Sequence, residues 1–336
     1  MRKRVRPVMR AGSWAGRWAL AGLFLGLFLG SGVSHAQESP DANDWRISLE
    51  TVFPEQAPAN AYVEELVLAL QRENGPGAPV SLEELQECIR RCDPVVYVQQ
   101  LIKYATPSSV ELQMQEQLKY AKALMRDERL QAGVRFLREQ KPLLDRAEAE
   151  YGVAPKDIVS ILMWESGLGN VAGDYFVFNI FMGQILYLEH ARDVAVRKTA
   201  RGTEPPGAAQ GKERERLDRI RRRAAENLAS LLRHAKQQGT DPLAQVGSWG
   251  GAIGYTQFLP SSLVYAADGD GDGRVDLNSW PDAISSVARY LHEHGYAESV
   301  ELRRKGIHAY NPIDTYVSGV IGYADAIGHR YAESMR

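Results

Sequence analysis

The stretch IVSILMWESGLGN, Ile158 to Asn170, sets a glutamate inside an apolar run. Ile158, Ile161, Leu162 and Glu165 fall at i, i+3, i+4 and i+7, so a helix puts the carboxyl on one stripe with three branched aliphatics. Pro155 opens that helix, and Gly167 and Gly169 stop it just past Glu165. An acid lying against Ile161, Leu162 and Leu168 loses hydration, which raises its pKa and makes it a usable proton donor near neutral pH. The expectation is an acid at a helix end beside a cleft; a glutamate satisfied by a buried ion pair or hydrogen bond is the alternative.

Outward from this run, helical patterns dominate. Phe136 to Tyr151 reads as a preceding helix closed by Gly152. Ser81 and Glu84 form a capping box, and Pro281 opens a helix that Gly295 closes. A final helix follows Asn311-Pro312, and strand-type alternation is almost absent, so the chain is mainly α. Residues 1–36 read as a secretory signal peptide: six basic residues, an apolar run from Trp18 to Gly30, then Ser34-His35-Ala36 at the cleavage positions. No cysteine stands there to take a lipid, so an exported, periplasmic protein is expected.

Removing that leader takes the formal charge from −2 to −8, which argues against a nucleic-acid partner. Residues 37–60 read as a flexible leader, 61–130 as a helical accessory region, and 131–336 as the domain that carries Glu165. Within that domain 193–225 reads as a charged, solvated insertion whose helix starts near Gly211. Cys88 and Cys92 suggest a disulfide in an oxidising compartment, provided the last helical turn relaxes before Asp93-Pro94; two thiols are the alternative.

Four ordered motifs carry a family resemblance: RAEAEYGVAPKDIVSILMWESGLGN, GGAIGYTQFLPSS, DGDGDGRVDLNSWPDAISSVARYLHEHGY and AYNPIDTY. Together they resemble the B-type lytic murein transglycosylases, over about Phe136 to Ala332 apart from the insertion. The resemblance implies a lysozyme-like fold. It also implies cleavage of the bond between N-acetylmuramic acid and N-acetylglucosamine in peptidoglycan strands, with closure of a 1,6-anhydro ring and Glu165 as the single acid and base. It implies that Ser248, Tyr255 and Gln257 of the glycine-rich loop, together with Tyr290, Tyr310, Asn311 and Tyr316, bind the saccharide. The family's arginines that hold the peptide stem fall in the crowded stretch Arg219, Arg221, Arg222 and Arg223. Beyond glycan strands, other cell-wall enzymes are the partners such a protein would meet. A non-catalytic peptidoglycan-binding scaffold and a hydrolytic muramidase are the competing readings.

The run DGDGDGRVD spaces Asp268, Asp270 and Asp272 as an EF-hand loop does, with Gly273 for the turn and the Arg274 carbonyl in line. Position 12 is Ser279 rather than Glu, so the pattern departs there. The resemblance assigns the closing carboxylate to Asp282. An all-oxygen donor set suits Ca²⁺ in a structural role, and no cofactor is needed for the chemistry.

Overall fold

The computed structural model describes residues 46–47, 79–92, 96–105, 110–199 and 210–336. The signal-peptide reading and most of the leader lie outside the described residues. In chain order the elements are β1 (Arg46–Ile47), α1 (Leu82–Arg91), β2 (Val96–Tyr97), α2 (Val98–Ala105), α3 (Val110–Leu124), α4 (Asp127–Glu139), α5 (Lys141–Tyr151) and α6 (Pro155–Ser166). They continue with β3 (Tyr175–Phe176), α7 (Val177–Thr199), α8 (Gly211–Gln238), β4 (Val246–Gly247), a 3₁₀ turn (Pro260–Tyr265), α9 (Trp280–Glu293), α10 (Val300–Tyr310) and α11 (Asp314–Ser334). Strand structure among the described residues is limited to two-residue antiparallel pairs, β1 with β2 and β3 with β4. The mainly α expectation holds.

Of three apolar cores among the described residues, the smallest joins Leu101 and Ala105 to Tyr187, Leu188 and Leu217, and the two larger ones flank the site. One gathers Phe136, Ile158, Ile161, Leu162, Trp164, Ile284, Val287, Tyr316, Val320 and Ile327, from α4, α6, α9 and α11. The other gathers Val177, Phe181, Ala225, Leu228, Ile253, Phe258 and Leu277, from α7, α8, the glycine-rich loop and the end of the acidic loop, and α1 adds Leu85 and Cys88. Tyr310 packs against both, so the seam between the cores runs past it.

Local chemistry explains most boundaries. The Ser81 and Glu84 side chains cap α1 reciprocally, as its sequence signature requires. The helix expected over Phe136 to Tyr151 instead breaks at Gln140, because Pro142 has no N–H to continue the ladder and sits in the first turn of α5. Gly152 ends α5 in the left-handed region, and Pro155 then opens α6.

Two expectations need correction. Cys88 and Cys92 are not bridged. The last turn of α1 stays intact, with Cys92 N–H on the Cys88 carbonyl at 2.8 Å, the Cys88 thiol in the second core and the Cys92 thiol donating to the Ile89 carbonyl. The helix of the 193–225 stretch does begin at Gly211, yet it is no solvated appendage. Leu217, Arg221, Ala224 and Ala225 are buried, and Arg221 reaches Glu189 on α7 at 3.1 Å and Asp218 at 3.3 Å. A charge run hides an inward face when its arginines have acids across the helix pair to satisfy them.

Candidate active site

Glu165 sits in the last turn of α6, 1% exposed. Burial raises its carboxyl to a pKa of about 8, although the Tyr316 hydroxyl donates to Oε1 at 2.7 Å and pulls the other way. Desolvation wins because one hydrogen bond recovers only part of the hydration a carboxylate loses. At neutral pH this acid holds its proton.

The helix stops beyond it for backbone reasons. Gly167 and Gly169 have positive φ, and so does Leu168 at +56° between them. Leu168 and Gln257, at +51°, are the non-glycine residues in that region among the described residues, and each borders this site. Such conformations persist where surrounding structure imposes them, commonly at functional positions.

Trp164 braces the glutamate. Its ring meets Tyr120 edge-on at 5.1 Å and Tyr316 at 5.0 Å, and Gly319 is required beneath it, since an added Cβ would collide with the indole. The Tyr120 hydroxyl donates to the Trp164 carbonyl at 3.0 Å. Tyr120 comes from α3, inside the stretch read as accessory, and no motif surrounds it; only the packing of α3 on α11 and α6 reveals it.

Across the seam lies the glycine-rich loop. Gly173 approaches the Gly247 carbonyl so closely that a Cβ would clash with it, and β3 pairs with β4 beside this contact. The segment after Glu165 is thereby stitched to the one carrying Ser248. The Ser248 hydroxyl oxygen accepts the Gly250 and Ala252 N–H groups at 3.3 and 3.1 Å, which closes the loop. Gln257 Nε2 donates to the Gly254 carbonyl at 2.8 Å. Tyr310 binds the loop to the other lobe through its hydroxyl on the Thr256 carbonyl at 2.6 Å, and burial near Glu165 holds its phenol protonated.

Tyr316 therefore touches Glu165 directly, Tyr310 lies near enough to feel its charge, and Gln257 is one residue from the Tyr310 contact. Asn311 is 1% exposed, and neither its Nδ2 nor its Oδ1 meets a hydrogen-bond partner among the described residues. A buried amide in that state is costly unless a ligand completes it. Tyr290 sits in an aromatic wall, its ring 4.9 Å from Tyr310 and its hydroxyl on the Ala309 carbonyl. Tyr255 packs at 4.3 Å, tilted, on Trp280, which the motif reading missed, and Gly169 after the glutamate runs against both rings.

Among the candidate arginines, Arg219 and Arg222 are exposed and Arg221 is paired inside the helix packing. Arg223 is half-buried beside Tyr104.

In the acidic loop, carboxylate oxygens of Asp268, Asp270 and Asp282 lie within 4.8 Å of one another. Asp272 stays outside that group, its carboxylate taking the Arg274 N–H at 2.8 Å. Asp282 accepts Gly269 N–H at 2.7 Å and Asp276 N–H at 2.6 Å, so it already closes the loop onto α9. Three converging oxygens without nitrogen or sulfur fit a hard cation.

The transglycosylase SLT domain family matches residues 78–309. The membrane-bound lytic murein transglycosylase B of Escherichia coli (strain K12) is 32% identical over 182 residues, covering 54% of this chain and 42% of that protein. Among solved structures, the soluble lytic transglycosylase SltB1 of Pseudomonas aeruginosa has a TM-score of 0.59 at 24% identity, covering 81% of this chain and 99% of that one. The Escherichia coli lytic transglycosylase Slt35 in complex with calcium gives 0.59 at 20% identity, covering 88% and 100%. At such identities these two similarities establish the lysozyme-like fold. Among the described residues, no helix is long and apolar enough to cross a membrane.

Proposed function

The chain belongs to the transglycosylase SLT domain family, and from that premise we propose that it is a lytic transglycosylase that cleaves peptidoglycan between N-acetylmuramic acid and N-acetylglucosamine. The observation that carries this reading is a single buried carboxyl, Glu165, held protonated near neutral pH with the Tyr316 hydroxyl on its Oε1.

Glu165 gives its proton to the glycosidic oxygen as the C1–O bond breaks and the muramic ring gains oxocarbenium character. The resulting carboxylate, which Tyr316 supports by hydrogen bonding, takes the proton from the muramic C6 hydroxyl as that oxygen attacks C1. The products are a 1,6-anhydro-muramic end and a released N-acetylglucosamine hydroxyl, and Glu165 is again protonated. Glycosidases that admit water place a second carboxylate across the bond. The pKa of Glu165 responds only to burial and Tyr316, with no neighbouring acid acting on it, which favours the internal hydroxyl as nucleophile.

Ser248, Gln257 and Asn311 bind hydroxyl and acetamido groups in this reading, and Tyr255, Tyr290 and Tyr310 wall the sugar rings. Asp268, Asp270 and Asp282 hold a structural Ca²⁺ that stiffens the link from the glycine-rich loop to α9; calcium takes no part in the proton transfers. The leader at 1–36 directs the enzyme to the periplasm, 61–130 supports the cleft, and 131–336 is the catalytic domain.

Digestion of purified sacculi with wild type and Glu165→Gln tests the reading. Anhydro-ended muropeptides from wild type alone support it. Reducing ends mean hydrolysis, and retention of protein on intact sacculi means a binding scaffold.

A further inference from the structure

Away from the groove, a cavity of about 290 Å³ lies between α4 and the end of α11, lined by Gln131, Val134, Arg135, Arg138 and Arg330. The first four fall at i, i+3, i+4 and i+7, so they share one stripe on the outer side of α4. The inner side is committed to the core, where Phe136 meets Trp280 edge-on at 4.7 Å. Gly133 lets α11 close on α4, because an added Cβ would collide with the Tyr323 hydroxyl and Ile327. That approach brings Arg330 to the stripe, and three guanidinium groups border one hollow.

Their charge is only partly answered. Arg330 Nη1 donates to Asp127 Oδ1 at 2.5 Å, and the same carboxylate accepts Gln131 Nε2 at 2.6 Å. Arg138 Nη2 donates to the Ser334 hydroxyl of α11 at 3.1 Å, a neutral acceptor. Neither Arg135 nor Arg138 forms an ion pair among the described residues, and neither does Glu139 beside them; Glu333, next to Ser334, faces His329 at 3.5 Å. One carboxylate therefore serves three cations. The bonds to Asp127 and Ser334 also hold two of the arginines in place, so less side-chain freedom is lost when a ligand arrives, and each guanidinium keeps further N–H donors.

We propose that Arg135, Arg138 and Arg330 form a binding site for a phosphate group, carried by a free ion or by a lipid headgroup. Guanidinium forks arriving from two helices suit a tetrahedral oxyanion with oxygens in several directions, whereas a planar carboxylate fills a single fork. The negative charge of the phosphate offsets the excess on the arginines. This site shares no residue with the saccharide groove and does not depend on the reaction assigned there. It gives the protein a second point of attachment, on the far side of α4 from Trp280.

Nuclear magnetic resonance titration of the protein tests it through the arginine Nε–Hε signals, with sodium phosphate and sodium acetate at matched ionic strength as probes. Phosphate shifts the Arg135, Arg138 and Arg330 signals along one binding curve. Acetate binds at least about tenfold more weakly, the scale of one charge-assisted hydrogen bond. Arg135→Gln combined with Arg138→Gln weakens phosphate by at least about the same factor, while sacculus digestion keeps its wild-type rate. Arg135→Gln alone breaks no hydrogen bond seen among the described residues, and it weakens phosphate in the same direction if the double variant fails to fold.

Flotation with vesicles identifies the source of the phosphate. Arginine-dependent flotation with phosphatidylglycerol but not with phosphatidylcholine assigns a lipid headgroup; absent or arginine-independent flotation leaves the free phosphate as ligand. The proposal is overturned if neither phosphate nor phosphatidylglycerol binds through the arginines, if acetate binds as tightly as phosphate, or if the folded variants lose digestion, which would place these arginines in the groove.

Discussion

The Tyr316 hydroxyl donates to Glu165 Oε1 at 2.7 Å in a position where neither residue is more than 1% exposed. That bond favours the carboxylate, while burial favours the acid and prevails. Turnover of wild type is therefore expected to fall as pH rises through about 8, where Glu165 loses its proton. Tyr316→Phe removes the hydrogen bond that, among the described residues, pulls that value down, so the alkaline limb moves to higher pH by about one unit. The plateau rate also drops, since the carboxylate of the second step has lost its donor. Profiles of kcat against pH for the two proteins check this, and a limb moving to lower pH contradicts it.

Stability carries the same signature with an unusual sign. The folded pKa of Glu165 lies above its ordinary 4.5, so the folded state keeps a proton that the unfolded chain has released. Its ionisation therefore costs stability as pH rises from about 4.5 toward 8. Glu165→Gln escapes that cost. Its unfolding free energy matches wild type near pH 4 and exceeds it by about 3–5 kcal/mol above pH 8, at about 1.4 kcal/mol per pKa unit. Denaturant titrations at several pH values measure the gap.

Gly173 has φ +87°, and an added Cβ would collide with the Gly247 carbonyl. Gly173→Ala forces the segment after Glu165 away from the Ser248 loop and destabilises the fold by about 1–3 kcal/mol through strain alone. Activity falls further than stability accounts for, because the two halves of the groove separate. Kinetics at a temperature where the variant is fully folded separate the two effects.

Calcium is expected to raise the melting temperature of wild type, with about 2.7 kcal/mol gained at a concentration a hundredfold above Kd. Asp270→Ala abolishes that gain while costing little in the metal-free protein, since its exposed carboxylate accepts the Asp272 N–H at a long 3.3 Å. Asp282→Ala destabilises even without metal, because Gly269 and Asp276 lose their acceptor. Thermal melts with calcium and with chelator distinguish the variants.

Asp157 is fully buried in α6, where Arg303 of α10 grips it at 2.8 and 2.6 Å and the Tyr296 hydroxyl also donates to it. Asp157→Asn removes the buried counter-charge of Arg303 and leaves it only the half-exposed Asp325 at 3.0 Å, which costs about 1.5–3 kcal/mol. The loss appears as a lowered denaturant midpoint, with the pH dependence of Glu165 unchanged.

Sequence periodicity alone located α6, its opening at Pro155 and its end at Gly167, and from the apolar neighbours it anticipated a carboxyl with a raised pKa. These features were legible because each arises within a few residues of chain: a stripe of side chains, a ring that presets φ, a glycine that tolerates a left-handed turn. The capping box at Ser81 and the start of α8 at Gly211 were legible for the same reason. The unbridged Cys88 and Cys92 were not, since the turn between them is retained by packing in the second core rather than by its own sequence.

Tertiary structure decided the rest. Tyr120 reaches the glutamate's helix from a stretch with no motif. Arg221 is buried because Glu189 on another helix receives it. Lys103 meets Trp249 across more than a hundred residues of chain. Sequence determined the acid and the helix that bears it because propensity and periodicity act over neighbouring residues. Which groups surround that acid, and which cations lack a counter-charge, depended on contacts between distant segments, where burial sets the cost of every unpaired charge.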